Sequence, residues 1–361
     1  MSTVPPNGLI LVTGTNGYLG SVVVRLLLDK GYRVRGTVRS VEKYSWMLSY
    51  FGPNLSLVEV PDISADNAFA EVVKGVDGVA HVAATVDMHP DPSLVEKTVK
   101  SVINILEASA QEPSVKRVVV TSSSDACAKV LQGVPYKITT ESFNYEALEE
   151  AKKPWDGENP PAPVRSMQVY AASKTAAELR ARDWIREHKP HFVFNTVVPN
   201  FNMGSVVAPE KLGFGSSVGL VASVMRGFPF GPTMIQSQWH VDAADTALLH
   251  LAALTLDEVR DERLMAFADK FTWPSIIDIL RRRFPERANN LAPVEPITVE
   301  NLGEVDNARS VEILQKLGEK GFRTLEESLV DTMEAVIAVD SDPNKAKSRV
   351  DQLVETLSAS A

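Results

Sequence analysis

Tyr170 and Lys174 stand four residues apart in Tyr170-Ala171-Ala172-Ser173-Lys174, and no other tyrosine in the chain has a lysine at that spacing. On a helix, a four-residue step puts both side chains on one face. A phenol titrates near about 10, too high for efficient proton transfer at neutral pH. An ammonium beside it favours phenolate and is expected to lower that value. A tyrosine tuned in this way suits a reaction in which a carbonyl oxygen takes a proton as hydride reaches its carbon, a role worth about 10²- to 10⁴-fold in rate. A hydroxyl donor at the same oxygen would polarise it. The run Ser122-Ser123-Ser124, directly after an apolar strand-like stretch, supplies three candidates for that donor.

The hydride needs a carrier. Thr13-Gly14-Thr15-Asn16-Gly17-Tyr18-Leu19-Gly20 lies between a short apolar run, Leu9-Ile10-Leu11-Val12, and a stretch from Ser21 that reads as a helix. Strand, glycine loop, helix is the context in which this spacing cradles the pyrophosphate of a dinucleotide. Gly14 permits the tight turn, Gly17 lets the backbone approach the anion, and Gly20 lets the helix lie close to the strand. The amides that face the anion at the helix start belong to the same loop, with Asn16, Tyr18 and Leu19. Further on, the second strand ends in Arg39-Ser40, with Lys43 one helical turn beyond and no acid before Glu42. An NAD-selective site places an acid there. A 2′-phosphate carries about −1.5 to −2 charge, and Arg39 can meet it with a planar fork and Lys43 with a point charge. The expected cofactor is NADPH/NADP.

Strand and helix patterns alternate through the first half of the chain, the mark of a parallel doubly wound sheet. Helices are expected at 41–51, 66–74, 92–111 and 167–188, and strands at 55–60, 78–83, 116–121 and 192–198, the last closed by Pro199. Further helices are expected at 242–254, 273–284, 310–318 and 325–339, with one more beyond Pro343. The proline-rich stretch 151–165 reads as a surface loop, or a flap near the site. The expected fold is α/β: a Rossmann-type doubly wound parallel sheet with a smaller C-terminal substrate-binding lobe. Residues 1–199, joined by 240–268, form the nucleotide-binding domain; 200–239 and 269–361 form the substrate lobe and C-terminal helices.

A net charge of −9 over 361 residues offers no basic field for nucleic acid. The single Cys127 excludes a disulfide framework, and six scattered histidines point to no metal. No segment reaches the apolar length of a membrane span, and the N-terminal residues lack the charged, apolar pattern of a signal peptide. The expectation is a cytoplasmic monomer or homodimer. Gly215-Ser216-Ser217-Val218-Gly219 fits the hydrolase elbow but lacks the strand that must precede it.

The glycine loop, Thr37-Val38-Arg39-Ser40, His81-Val82-Ala83-Ala84, Val120-Thr121-Ser122-Ser123, the Tyr–Lys segment and Val241-Asp242-Ala243-Ala244-Asp245 together resemble the extended short-chain dehydrogenase/reductases. Within them, the chain is similar to the NADPH-dependent aldehyde and ketone reductases akin to dihydroflavonol and cinnamoyl-CoA reductases. The likeness covers about residues 9–254. It implies Ser123 as the polarising serine, with Ser124 as runner-up and Ser122 facing the other way. Tyr170 is implied as proton donor, and Lys174 as the group that tunes it and holds the nicotinamide ribose. Asp62 and Ile63 would flank the adenine, Ala83, Ala84 and Thr121 would line the cofactor, Pro199 would meet the carboxamide, and Ser217 would lie nearby. The substrate would be a small hydrophobic carbonyl compound touching Thr85, Met88, Asp125, Met203 and Trp239. One departure is Val99-Lys100-Ser101-Val102, where the family often carries Val-Asn-Gly-Thr. Other readings of the same residues are a same-fold dehydrogenase, epimerase or imine reductase, or a dinucleotide-sensing regulator, which would not need the Tyr–Lys pair.

Overall fold

The computed structural model describes residues 3–84, 90–296 and 299–342. β1 (Leu9–Thr13) passes through the glycine loop into α1 (Tyr18–Asp29), and β2 (Arg33–Val38) leads to α2 (Val41–Tyr44), α3 (Trp46–Phe51) and β3 (Leu55–Glu59). The chain returns as β4 (Gly78–His81), α4 (Ser93–Gln111) and β5 (Arg117–Thr121), then β6 (Tyr136–Ile138), α5 (Tyr145–Lys152), α6 (Ala162–His188) and β7 (Val193–Pro199). Next come β8 (Phe201–Met203), α7 (Pro209–Leu212), α8 (Ser216–Met225), α9 (Phe230–Met234), β9 (Gln238–Asp242), α10 (Ala243–Thr255) and β10 (Arg263–Ala266). β11 (Lys270–Phe271), α11 (Trp273–Arg283), β12 (Gly303–Val305), α12 (Ala308–Lys316) and α13 (Leu325–Asp340) complete it.

Seven strands form one parallel sheet in the order β10-β7-β5-β4-β1-β2-β3. Its central strands are buried on both faces, which is why they read as continuous apolar runs. Alternate side chains feed opposite cores. Ile10 and Val12 join α1 and α10 on one face, and Leu11, Val79 and Val118 join α4 and α6 on the other. A third core, built by Phe214, Val221, Ile276 and Leu329 of the later helices and their approaches, lies apart from these two. From β1 the chain runs outward to β3 and then crosses back to β4 on β1's other side. That reversal opens a crevice beyond the carboxyl ends of β1 and β4, where open α/β sheets bind ligands.

Several expectations need correction. The expected helix at 66–74 is a succession of turns: Asn67 takes φ 57°, and bonds close over three residues, as from Ala68 N–H to the Ala65 carbonyl at 3.2 Å. The helix expected at 41–51 splits at Ser45, whose hydroxyl donates to the Glu42 carbonyl at 3.0 Å and competes with the backbone ladder. α6 begins at Ala162, earlier than expected, because Pro163 falls in its first turn, where a missing N–H costs no bond. The loop therefore shrinks to 153–161, and the Arg165 guanidinium ties its approach down at the carbonyls of Glu150 (2.7 Å) and Ala151 (2.8 Å). β10 joins the main sheet, whereas β9 pairs with β8 and β11. β6, from the first half of the chain, pairs with β12. The helix expected beyond Pro343 lies outside the described residues.

Candidate active site

The glycine loop is fixed by close approaches. Gly14 has φ 71°, and a Cβ there would lie 2.9 Å from Ala83 Cα. A Cβ at Gly20 would lie 2.1 Å from the Gly14 carbonyl oxygen. Gly17 is exposed and caps α1 with extended backbone and no side-chain cap, so the first-turn amides of α1 are left to a ligand or solvent. Thr13 Oγ1 accepts the Ala83 N–H at 2.9 Å and shares a hydrogen bond with His81 Nδ1 at 3.1 Å, locking the ends of β1 and β4 together. Ala83 and Ala84 follow, half-buried. Asn16 is half-buried and Leu19 packs against the α1–α10 core. Tyr18 packs against two cores, and its hydroxyl donates to the Gly204 carbonyl at 3.4 Å. Burial pushes that phenol up, with Asp242 and Asp331 adding to it.

Arg39 is exposed at the end of β2. Ser40 caps α2, its oxygen accepting the Lys43 N–H at 3.3 Å, and the Lys43 side chain is exposed with Nζ 5.5 Å from the Tyr44 ring centre. Glu59, the acid in register with Val38, is engaged by the Val41 N–H at 2.9 Å. Asp62 is exposed and lowered in pKa by hydrogen bonds from the Ser64 hydroxyl and N–H. Ile63 packs against the core under α4.

At the end of β5 the three serines separate. Ser122 Oγ donates to Glu178 Oε2 at 2.5 Å, on α6. Ser123 turns the other way, as a strand's alternation requires: its oxygen accepts the Asp125 N–H at 3.2 Å and its hydroxyl donates to Asp125 Oδ2 at 3.4 Å. Ser124 is buried in the short turn that follows. α6 carries Tyr170, half-buried, and Lys174, buried, toward the same strand end. Lys174 Nζ donates to the Thr121 carbonyl at 3.2 Å, and Thr121 Oγ1 bonds His250 Nε2 at 2.8 Å. Burial lowers Lys174 to about 8, while Glu178 and Asp125 pull the other way.

The Tyr170 phenol lies above its ordinary pKa. Burial raises it first, then the Asp125 carboxylate, and a hydrogen bond with Ser123 offsets this in part. This corrects the expectation that Lys174 would lower it. The ammonium is engaged by the Thr121 carbonyl, and the charge that acts on the phenol is the Asp125 carboxylate, which helical spacing alone does not reveal.

Pro199 is buried at the end of β7, and the next residue, Asn200, has a buried Nδ2 without a partner. Ser217 Oγ donates to the Asn202 carbonyl at 2.7 Å in the first turn of α8. Among the expected substrate contacts, Thr85 and Met88 lie outside the described residues. Met203 is fully buried in the third core. Trp239 is buried edge-on to Tyr136 and Phe267, at 6.2 and 5.8 Å between centroids. Both side chains are buried, the commoner fate of large apolar side chains. Asp125 stays half-buried beside Ser123. Lys100, at the departure from the family's asparagine, pairs with Asp66 at 2.7 Å on the surface.

Sequence reasoning missed a buried pair behind Lys174. Arg263 on β10 donates to both carboxylate oxygens of Glu178, at 2.7 and 3.1 Å, and Thr196 Oγ1 adds a bond at 3.2 Å. The signal was present as a second four-residue step from Lys174 to Glu178. His81 was also missed; burial and Lys174 drive its pKa down to about 3, so the imidazole is neutral.

Comparison with known proteins places the fold in a family. The profile of the NAD dependent epimerase/dehydratase family matches residues 10–210. Aldehyde reductase 2 of Sporidiobolus salmonicolor is 36% identical over 340 residues, covering 91% of this chain and 96% of that protein. Ketoreductase adrE of Penicillium roqueforti is 38% identical over 338 residues, covering 90% and 96%. Among solved structures, yeast methylglyoxal/isovaleraldehyde reductase Gre2 complexed with NADPH superposes with a TM-score of 0.77 at 27% identity, covering 92% of this chain and 99% of that one. With the parallel sheet, the glycine loop and these likenesses in hand, the chain belongs to the NAD dependent epimerase/dehydratase family, and within it to the extended short-chain dehydrogenase/reductase oxidoreductases.

Proposed function

We propose that this protein reduces the carbonyl of an aldehyde or ketone to an alcohol with NADPH. The observation that carries the reading is the hydrogen bond between the Ser123 and Tyr170 hydroxyls at the end of β5, with Lys174 Nζ anchored on the neighbouring Thr121 carbonyl, beside the crevice opened by β1 and β4. The glycine loop fits a dinucleotide, because a Cβ at Gly14 or Gly20 would fill the cradle and clash with its backbone. Arg39 and Lys43 present exposed positive charge where a 2′-phosphate would sit. Bound there, the nicotinamide supplies hydride to the carbonyl carbon.

The chain's own groups handle the oxygen. Ser123 donates to it and holds the carbonyl in place. Tyr170 gives the proton: the phenol is protonated at neutral pH, and because its pKa is raised it yields the proton only as the carbonyl oxygen gains the far more basic character of an alkoxide. Lys174 would hold the ribose hydroxyls of the bound cofactor from its place on the Thr121 carbonyl. The aldehyde reductase and ketoreductase relatives, and the NADPH in the Gre2 structure, support this reading.

The test is NADPH oxidation with a panel of aryl aldehydes and β-ketoesters; turnover of at least one is expected. Tight NADPH binding with no turnover of any would favour a sensor and overturn the proposal. Cofactor choice is read separately. Charge-assisted bonds are worth about 1.5–3 kcal/mol, so Arg39→Asp should cut the preference for NADPH over NADH by about 10- to 100-fold, measured as a ratio of kcat/KM values. An unchanged ratio would remove Arg39 from the assignment.

A further inference from the structure

The residue that faces the reacting pair is an acid, and nothing in the reductase reading calls for one. Ser123 has one hydroxyl, which the Tyr170 phenol also bonds; its donor bond runs to Asp125 Oδ2, 3.4 Å away, while the Asp125 N–H reaches its oxygen at 3.2 Å. A carboxylate is a stronger acceptor than a neutral carbonyl. A simple ketone therefore competes poorly for the Ser123 proton. The bond is long, however, and longer bonds of this kind are weak. A substrate with its own O–H or N–H can supply the carboxylate with another donor and release Ser123. We infer that Asp125 is a specificity-determining residue that favours carbonyl compounds bearing a hydrogen-bond donor on the adjacent carbon, because such a donor takes Ser123's place on the carboxylate. The inference rests on the reductase reading of the same site.

The surroundings set when the carboxylate is charged. Lys174 and Tyr170 face it from α6, and Cys127 from its own segment. The Asn144 side chain donates to the Asp125 backbone carbonyl at 2.9 Å and fixes the turn. The Cys127 thiol is pushed up to about 12 by burial and stays neutral. Burial raises Asp125 to about 6, opposed by Ser123 and Lys174. The acid is therefore charged above that value and takes up a proton as pH falls through it. Once protonated, it no longer competes for the Ser123 proton, so the discrimination should be present at neutral and higher pH and fade in acid.

The test compares 2-hydroxyacetophenone with acetophenone as substrates of the full chain with NADPH, from about pH 5 to 8, in the parent protein, Asp125→Ala and Asp125→Asn. The affinity of each ketone for the NADP⁺-saturated protein is measured alongside by fluorescence quenching. At neutral pH the parent is expected to favour the hydroxyketone by about tenfold or more in kcat/KM, the size of one hydrogen bond to a charged group. The ratio should fall toward one below about pH 6. Asp125→Ala should bring it toward one at every pH, chiefly by improving acetophenone, and Asp125→Asn should abolish its pH dependence. An equal ratio in parent and Asp125→Ala, a ratio flat across the pH range, or equal losses with both ketones would overturn the inference. If neither ketone is turned over, the reductase reading is what fails for this pair, and the binding ratio still decides the role of Asp125.

Discussion

Tyr170→Phe is expected to lower kcat/KM for carbonyl reduction by about 10²- to 10⁴-fold while NADPH still binds. The substitution removes one oxygen and leaves the ring. The packing of α6 on β5 survives, and so does the Lys174 bond to the Thr121 carbonyl at 3.2 Å. The proton source is what is lost. Ser123 cannot replace it, because its own proton is shared with Asp125 and an aliphatic hydroxyl is a weaker acid than a phenol. Steady-state NADPH oxidation measures the loss, and a fluorescence titration with NADPH confirms that the cofactor still docks. Undiminished turnover would end the assignment of Tyr170 as proton donor.

The second large effect concerns stability. Glu178→Ala is expected to cost about 3–5 kcal/mol, the range for removing one partner of a buried ion pair. The side chains of Arg263 and Glu178 are 1% and 2% exposed. Removing the carboxylate strands the Arg263 charge in the interior, where only neutral acceptors such as the Thr140 and Ser142 carbonyls remain to it. It also strips the Ser122 and Thr196 hydroxyls of their acceptor. The urea midpoint should fall with little change in slope. Replacing the pair together, as Glu178→Leu with Arg263→Met, should cost much less than the two single losses added, because no charge is then left unpaired. A single variant as stable as the parent would show that the pair holds nothing together.

The Glu178 carboxylate also bears on chemistry. It opposes the effect of burial on Lys174, one turn away on α6, and so helps keep that ammonium charged. One element thus places proton donor, cation and counter-charge in line, and its sequence shows this as two successive steps of four.

The legible features share a property: each depends on residues close together in the chain. Gly14, Gly17 and Gly20 are read from spacing because a strand-to-helix turn spans only a few residues. The structure shows the same requirement as clashes with Ala83 and with Gly14 itself. Ser122 and Ser123 part company because a strand alternates, which is again local. Helix boundaries were less legible where a single side chain competes with the ladder, as at Ser45, or where backbone takes a left-handed turn, as at Asn67.

The sequence by itself determined the parallel sheet, the nucleotide cradle, the missing acid after β2 and the Tyr–Lys face of α6, since period and spacing suffice for those. Only the tertiary structure decided that β6 pairs with β12 and which cores bury Met203 and Trp239. It likewise decided that Arg263 reaches Glu178, and that an acid rather than an ammonium dominates the charge felt by Tyr170. The reason is physical. Burial and electrostatic coupling act through space between residues far apart in the chain, and the acidity of a group is set by its surroundings in three dimensions more than by its neighbours along the backbone.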